Sequence, residues 1–269
     1  MPIISSREHP IIKQLVKLEK SAQFRKKSAL TLLDGIHLIQ TYLSIQGAPE
    51  TLIISQSSGN NNEINQLIKL ISCQKRTKIY SINDALLSHV SPVKTPSGVL
   101  ATISIPTTTI IPVNQNNPFC VLLETIQDPG NLGSILRSAA AADVSDVYLS
   151  CDCADIWSPK MLRAAMGAHF SLRIHERSNL LEIIKRFKGK VVATSLQTKK
   201  TLYQTSLSGP LAFILGNEGS GVSEAISQAV EEKITIPMPG KTESLNVAAA
   251  AAICFFEKVR QESLIHTRS

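Results

Sequence analysis

Three short stretches hold most of the residues whose types and spacing can do chemistry. The first is Gln127-Asp128-Pro129-Gly130-Asn131-Leu132-Gly133-Ser134-Ile135-Leu136-Arg137. Asp-Pro-Gly makes a turn, and Asn131 reads as a helix N-cap, because its side chain can accept from the orphan N–H groups of a first turn. Gly133 clears the helix surface one turn before Arg137. A guanidinium beside a cleared surface can hold a phosphate; taken alone, the stretch equally allows a surface ion-pair residue. The second stretch, Gly216-Asn217-Glu218-Gly219-Ser220-Gly221-Val222-Ser223, packs three glycines into six residues, so its backbone can wrap closely round a ligand. It has neither the Gly-Lys-Ser/Thr of a P-loop nor the G-x-G-x-x-G spacing of a dinucleotide site, and no other strand is followed by that fingerprint. In the third, Ile234-Thr235-Ile236 reads as a short strand and Pro237-Met238-Pro239-Gly240 breaks regular structure. Thr242 or Ser244 then caps a helix that carries the alanines Ala248 to Ala252. An ordinary strand-turn-helix accounts equally well for this last stretch on its own.

The elements that must position these stretches follow from periodicity. Phe119–Glu124 reads as a buried-type strand and Leu211–Leu215 as a second continuous apolar one, of the kind found in a parallel sheet covered on both faces, and Val144–Leu149 and Lys190–Thr194 read as further strands. Helical patterns over 159–168 and 178–187 separate them. In such a sheet the loops at the carboxyl ends of strands form the ligand site, which is where 216–223 and 237–243 fall. Nearer the N-terminus, strands at 29–33, 51–54, 77–81 and 97–103 alternate with helices at 35–45, 63–73 and 83–89, giving a small α/β domain. A helix over 10–27 leads it, with Lys13, Lys17 and Lys20 at helical spacing and Arg25-Lys26-Lys27 after them. That face is either simply solvated or a contact for RNA phosphates. Pro106, Pro112 and Pro118 bracket a polar run, so 106–117 reads as a linker between domains at 1–105 and 118–269.

Composition narrows the function classes. At 269 residues and 43% hydrophobic content the chain can bury proper cores, and no run of eighteen apolar residues suggests a membrane span. The start of the chain has no signal or transit pattern, so a cytoplasmic location is expected. The net charge of +7 favours a polyanionic partner, while only 4% aromatic residues argue against an aromatic base-stacking platform. Cys120 and Cys254 lie in apolar runs and read as core residues. Cys151 and Cys153 form a lone C-x-C pair, there is no H-E-x-x-H, and no metal is expected.

Taken together and in this order, the three stretches resemble the SpoU/TrmH family of RNA ribose 2′-O-methyltransferases, of the SPOUT class, over about residues 118–260. Leu162-Arg163-Ala164-Ala165-Met166-Gly167-Ala168 is similar to a further family segment. Residues 1–105 resemble more loosely the L30e-like substrate-binding domain that precedes many of these enzymes, with Ile4-Ser5-Ser6 and His9-Pro10-Ile11-Ile12-Lys13 at its start. Asp34-Gly35 stands where that family commonly has Glu-Gly, and Asp143 where glycine is frequent.

The resemblance implies an α/β fold with a mostly parallel sheet and a deep C-terminal trefoil knot, preceded by the small L30e-like α/β domain. It implies a homodimer that binds S-adenosylmethionine and methylates structured RNA, 23S ribosomal RNA first. The alternatives are a transfer-RNA ribose methyltransferase and a non-catalytic RNA-binding or ribosome-assembly protein. It assigns the cofactor to Gly216, Ile236 and Leu245, with Thr194, Leu196, Leu215 and Met238 as further lining. It ties Asn131, Arg137, Glu218, Ser244 and Asn246 to catalysis and RNA binding. Arg137 is expected to clamp a phosphate and stabilise oxyanion charge, since a guanidinium scarcely deprotonates. Ser244 and Asn246 are expected to orient the ribose, and Glu218 to hold either its loop or Arg137.

Overall fold

The computed structural model describes residues 3–73, 77–93, 95–106 and 118–266. Of the expected linker, residues 107–117 lie outside this set. The strands are β1 (Ile3–Ile4), β2 (Leu30–Asp34), β3 (Thr51–Ser55), β4 (Lys78–Ile82), β5 (Val99–Ser104), β6 (Phe119–Leu123), β7 (Asp146–Leu149), β8 (Arg173–His175), β9 (Lys190–Thr194), β10 (Leu211–Leu215) and β11 (Glu232–Ile234). The helices are α1 (Pro10–Lys20), α2 (Ala22–Ser28), α3 (Ile36–Gln46), α4 (Asn62–Ser72), α5 (Asp84–Val90), α6 (Pro129–Ala141), α7 (Pro159–Ala164), α8 (Leu180–Arg186), α9 (Glu224–Ala229) and α10 (Val247–His266). The chain divides into two compact units, Met1–Thr107 with Asp155–Phe170, and Thr108–Ala154 with Ser171–Ser269.

The first unit is built on a mixed sheet in the order β1-β4-β3-β5-β2. β1, β4 and β3 run parallel, and β5 runs antiparallel to both β3 and β2. One face is closed by Ile12, Leu15 and Leu18 of α1 and Leu86, Leu87 and Val90 of α5, packed over Leu32, Ile53 and Leu100. The expected single helix over 10–27 is two helices. Ser21 adopts an extended backbone and its Oγ accepts from Phe24 N at 3.1 Å, which ends α1 and starts α2. Serine at such a point favours capping over continuing the helix. Arg25, expected on the basic surface, is instead buried. Its guanidinium donates to Leu18 O (2.6 Å) and Glu19 O (3.1 Å) and pairs with Asp155. That pairing needs a partner 130 residues away, which no local pattern announces.

Residues 155–170 belong to this first unit although they sit within the later part of the sequence. Thr31 Oγ1 donates to Trp157 O at 2.6 Å, and the rings of Tyr42 and Phe170 meet edge-on at 5.1 Å. The helix expected over 159–168 stops at Ala164. Gly167 has φ +87°, and a Cβ there would lie 2.6 Å from Thr41 Cγ2, so the turn both needs left-handed backbone and lies against α3.

The second unit carries a six-stranded sheet in the order β11-β9-β10-β6-β7-β8, with every neighbouring pair parallel. β6 and β10 lie at its centre in register, Leu123 beside Leu215, and are buried throughout. Cys120 and Cys254 are fully buried, and burial pushes both thiols up to about 12. The strand after β6 (β7) and the strand after β10 (β11) lie on opposite sides of this central pair. The loops leaving Leu123 and Leu215 therefore diverge, which is where an open α/β sheet presents its crevice. The edge strand β11 covers 232–234, two residues earlier than expected, and Thr235 keeps only an isolated bridge to Thr201.

On the opposite half of the sheet, the wholly buried Asp146 accepts from Arg173 Nε (2.8 Å) and Nη2 (2.7 Å), His175 Nε2 (2.9 Å) and Ser145 Oγ (2.8 Å). Burial alone would raise the carboxyl's pKa, but these donors outweigh it and hold it below the usual carboxylate range. Its stabilising contribution is therefore present above the unfolded value of about 4 and is lost as pH falls through the folded one. Asp146→Asn should cost about 2 kcal/mol at pH 7, with the gap to wild type closing on acidification. Urea unfolding at pH 7 and at pH 3 checks this.

Candidate active site

A cavity of about 450 Å³ opens at the carboxyl ends of β9, β10 and β11. Its walls are the loops after those strands and the start of α10. Thr194, Leu196, Leu215, Gly216, Ile236, Met238 and Leu245 all line it, and so does Ser244. Leu196 is 65% and Leu245 39% exposed, large apolar side chains left open to solvent in the wall of this cavity. The volume is that of a small-molecule site, and the mixture of apolar side chains with polar ones such as Thr194, Ser195 and Gln197 suits a ligand with both apolar and polar parts. The carboxylates of Glu218 and Glu224 at the wall favour a ligand that carries positive charge.

The loop 216–223 is held from several directions. Gly216 is buried, and a Cβ there would lie 2.1–2.3 Å from the backbone of Gly221 and Val222. Asn217 and Gly221 exchange both backbone hydrogen bonds at 2.9 Å. The Asn217 Oδ1 accepts from Gly219 N (2.9 Å) and Ser220 N (3.1 Å), and its Nδ2 donates to Thr125 O (2.9 Å). At the far end, Glu124 accepts from Ser223 N and Oγ, both at 2.7 Å. Sequence reasoning missed Asn217 and Glu124. An asparagine followed two residues later by glycine is a turn signature that points to Asn217, whereas nothing local marks Glu124.

A second cluster ties this loop to α6 and α10. Asn246, not Thr242 or Ser244, caps α10: its Oδ1 accepts from Ala248 N (2.9 Å) and Ala249 N (3.3 Å). This fixes the amide, so its Nδ2 donates to Asn131 Oδ1 at 2.8 Å. Asn131 is fixed in turn and donates through Nδ2 to Glu218 Oε1 at 3.1 Å. Glu218 Oε1 also accepts from Asp128 N at 3.3 Å. Asp128 takes the capping role expected of Asn131, accepting from Asn131 N at 2.7 Å, because Pro129 opens the helix and places Asn131 inside its first turn. The polarity of the chain requires an acceptor at Glu218. Desolvation pushes that carboxyl up, but the Asn131 and backbone donors prevail and its pKa is lowered.

Of the five residues expected to serve catalysis, Asn131, Glu218 and Asn246 are thus bonded into one chain. Ser244 stands exposed in the cavity wall with no hydrogen bond among the described residues. Arg137 projects from α6, exposed, also without a polar partner among the described residues, and it does not line the cavity. Glu218 therefore holds its loop and helix, not Arg137. Among the described residues no group of three or more histidine, cysteine or acidic side chains is placed to hold a metal, and no helix is long and apolar enough to cross a membrane.

Residues 118–256 match the family model described as SpoU rRNA Methylase, and 9–101 match the MRM3-like substrate binding domain. An uncharacterised tRNA/rRNA methyltransferase of Synechocystis is 30% identical, over 96% of this chain and 94% of that protein. The Bacillus subtilis 23S rRNA (guanosine(2553)-2′-O)-methyltransferase RlmP is 29% identical, over 95% and 98%. The crystal structure of the SpoU methyltransferase AviRb from Streptomyces viridochromogenes, in complex with AdoMet, superposes with a TM-score of 0.85 at 25% identity, covering 95% of this chain and 98% of that one. The chain belongs to the SpoU rRNA methylase family.

Proposed function

We propose that this protein methylates a ribose 2′-OH of 23S ribosomal RNA with S-adenosylmethionine held in the cavity at the ends of β9, β10 and β11. The observation that carries the reading is the convergence of three separate loops on one cavity beside the Asn246–Asn131–Glu218 chain. Gly216, Leu215, Thr194, Leu196, Ile236, Met238 and Leu245 hold the cofactor. When bound, it would supply an electrophilic methyl on a sulfonium sulfur for transfer to the ribose hydroxyl. Ser244, whose hydroxyl is uncommitted, orients the ribose, and Asn246 fixes the start of the helix that follows it. Glu218 is committed as an acceptor, with a lowered pKa, and acts by positioning. Arg137 clamps the phosphate next to the target ribose and stabilises charge growing on the 2′ oxygen. The same reading places the cavity in a trefoil knot, the first unit in the L30e-like class, and the protein in the cytoplasm as a homodimer.

Mapping 2′-O-methyl groups in ribosomal and transfer RNA with and without the gene tests the substrate. A single site lost from 23S RNA is expected; loss from transfer RNA, or from no RNA, overturns the assignment. Asn217→Ala should weaken S-adenosylmethionine binding about fivefold, roughly 1 kcal/mol, because the loop loses its internal acceptor. The thermal midpoint should hardly move, since the freed N–H groups face solvent. Calorimetric titration and a melting curve check both.

A further inference from the structure

We infer that the exposed face of α1 and α2 is a docking ridge for the phosphate backbone of the RNA, read without regard to base sequence; this rests on the RNA substrate proposed above. Between Lys13 and Lys27, six of fifteen residues are basic and one, Glu19, is acidic. Five of the six are exposed lysines: Lys13, Lys17, Lys20, Lys26 and Lys27. The sixth, Arg25, is withdrawn into the unit, where its bonds to Leu18 O and Glu19 O fasten the end of α1 beside α2. The buried cation therefore joins the two helices that carry the exposed ones.

Acidic side chains leave most of this charge uncompensated. Lys13 pairs with the exposed Glu8 at 2.5 Å. Lys17 stands 5.6 Å from the ring centre of Phe24, a contact that leaves its ammonium donors available. Lys20, Lys26 and Lys27 have no partner among the described residues. Four ammonium groups thus face solvent on flexible stems, the chemistry of point-charge phosphate binding. The ridge carries few groups that read bases beside its lysines: the nearby aromatic ring, Phe24, is half-buried beneath Lys17, and Gln23 is the exposed side-chain amide of the two helices. The occupant that fits is an RNA backbone, recognised by charge and spacing.

The test compares the full-length protein with a K17Q/K20Q/K26Q/K27Q variant, binding protein-free 23S RNA transcript at salt concentrations from about 50 to 200 mM. Four phosphate contacts at about 0.7–0.9 each make the wild type lose about 50- to 150-fold more affinity than the variant over that range. S-Adenosylmethionine affinity and turnover at saturating RNA should be the same in both, with the loss confined to KM for RNA. A variant whose slope and affinity match wild type overturns the ridge, as does competition by polyglutamate that matches RNA charge for charge. Charge reversal at Lys26 and Lys27 alone must weaken binding further than their glutamine forms; if it does not, the ridge also fails. A wild type that binds with the steep slope yet transfers no methyl upholds the ridge and overturns the enzymatic reading. A wild type that binds no RNA overturns both.

Discussion

Alanine at Arg137 is expected to slow methyl transfer about 100- to 1,000-fold, the cost of removing one preorganised charge stabiliser from a reacting oxygen. S-Adenosylmethionine affinity should not change, because Arg137 is absent from the cavity wall. The fold should not suffer either: the side chain is exposed and has no polar partner among the described residues. Few side chains in the unit combine those properties with a place on α6, the helix whose first turn is bonded to Glu218 and Asn246. Arg137→Lys keeps the charge and loses the planar fork, so about tenfold of the activity should be missing if the guanidinium grips a phosphate bidentately. Single-turnover methylation with calorimetric cofactor titration separates the outcomes. Cofactor binding that fails while methylation persists at saturating cofactor would remove Arg137 from its proposed role.

The contrast between Arg137 and Arg25 shows how far the sequence could be read. Both are arginines at helical positions, each directly preceded by a large apolar residue, Leu136 and Phe24. One is exposed and unpartnered; the other is buried against Asp155, a residue that the linear order assigns to a different domain. Chain-local patterns report, through continuous apolar runs, which strands are buried on both faces, so β6 and β10 were legible to within a residue, while β9, half-buried along much of its length, was legible from its β-branched content. They also report where glycines and prolines interrupt structure, and those interruptions mark the walls of the cavity. They do not report which of several good capping residues is used. Asp128 and Asn131, or Ser244 and Asn246, are equivalent by type. The choice is made by what else each can reach: Asn246 caps α10 while its other amide group meets Asn131. Nor can local pattern place 155–170 beside β2, because the reason is a set of contacts with Thr31, Arg25 and Tyr42. Glu124 is hidden for the same reason, since its partner Ser223 is 99 residues away.

Gly216→Ala should weaken S-adenosylmethionine binding by about 5- to 150-fold, from an overpacking cost of about 1–3 kcal/mol. The conflict is with backbone: the added methyl would meet Gly221 C, Gly221 O and Val222 N at 2.1, 2.2 and 2.3 Å. No rotamer change relieves it, so the 216–221 loop must open and the paired hydrogen bonds between Asn217 and Gly221 must lengthen or break. Gly221 makes a control at the other side of the same loop. Its φ of +71° strains any side chain, yet a Cβ there meets nothing within 4 Å. Gly221→Ala should therefore cost about 1 kcal/mol through backbone strain alone and weaken the cofactor by less than tenfold. Cofactor titration of both variants, with melting curves, distinguishes close packing from conformational strain. If Gly216→Ala binds the cofactor like wild type, the loop is not the wall of its site, and the assignment of Gly216, Leu215 and Ile236 to the cofactor falls with it.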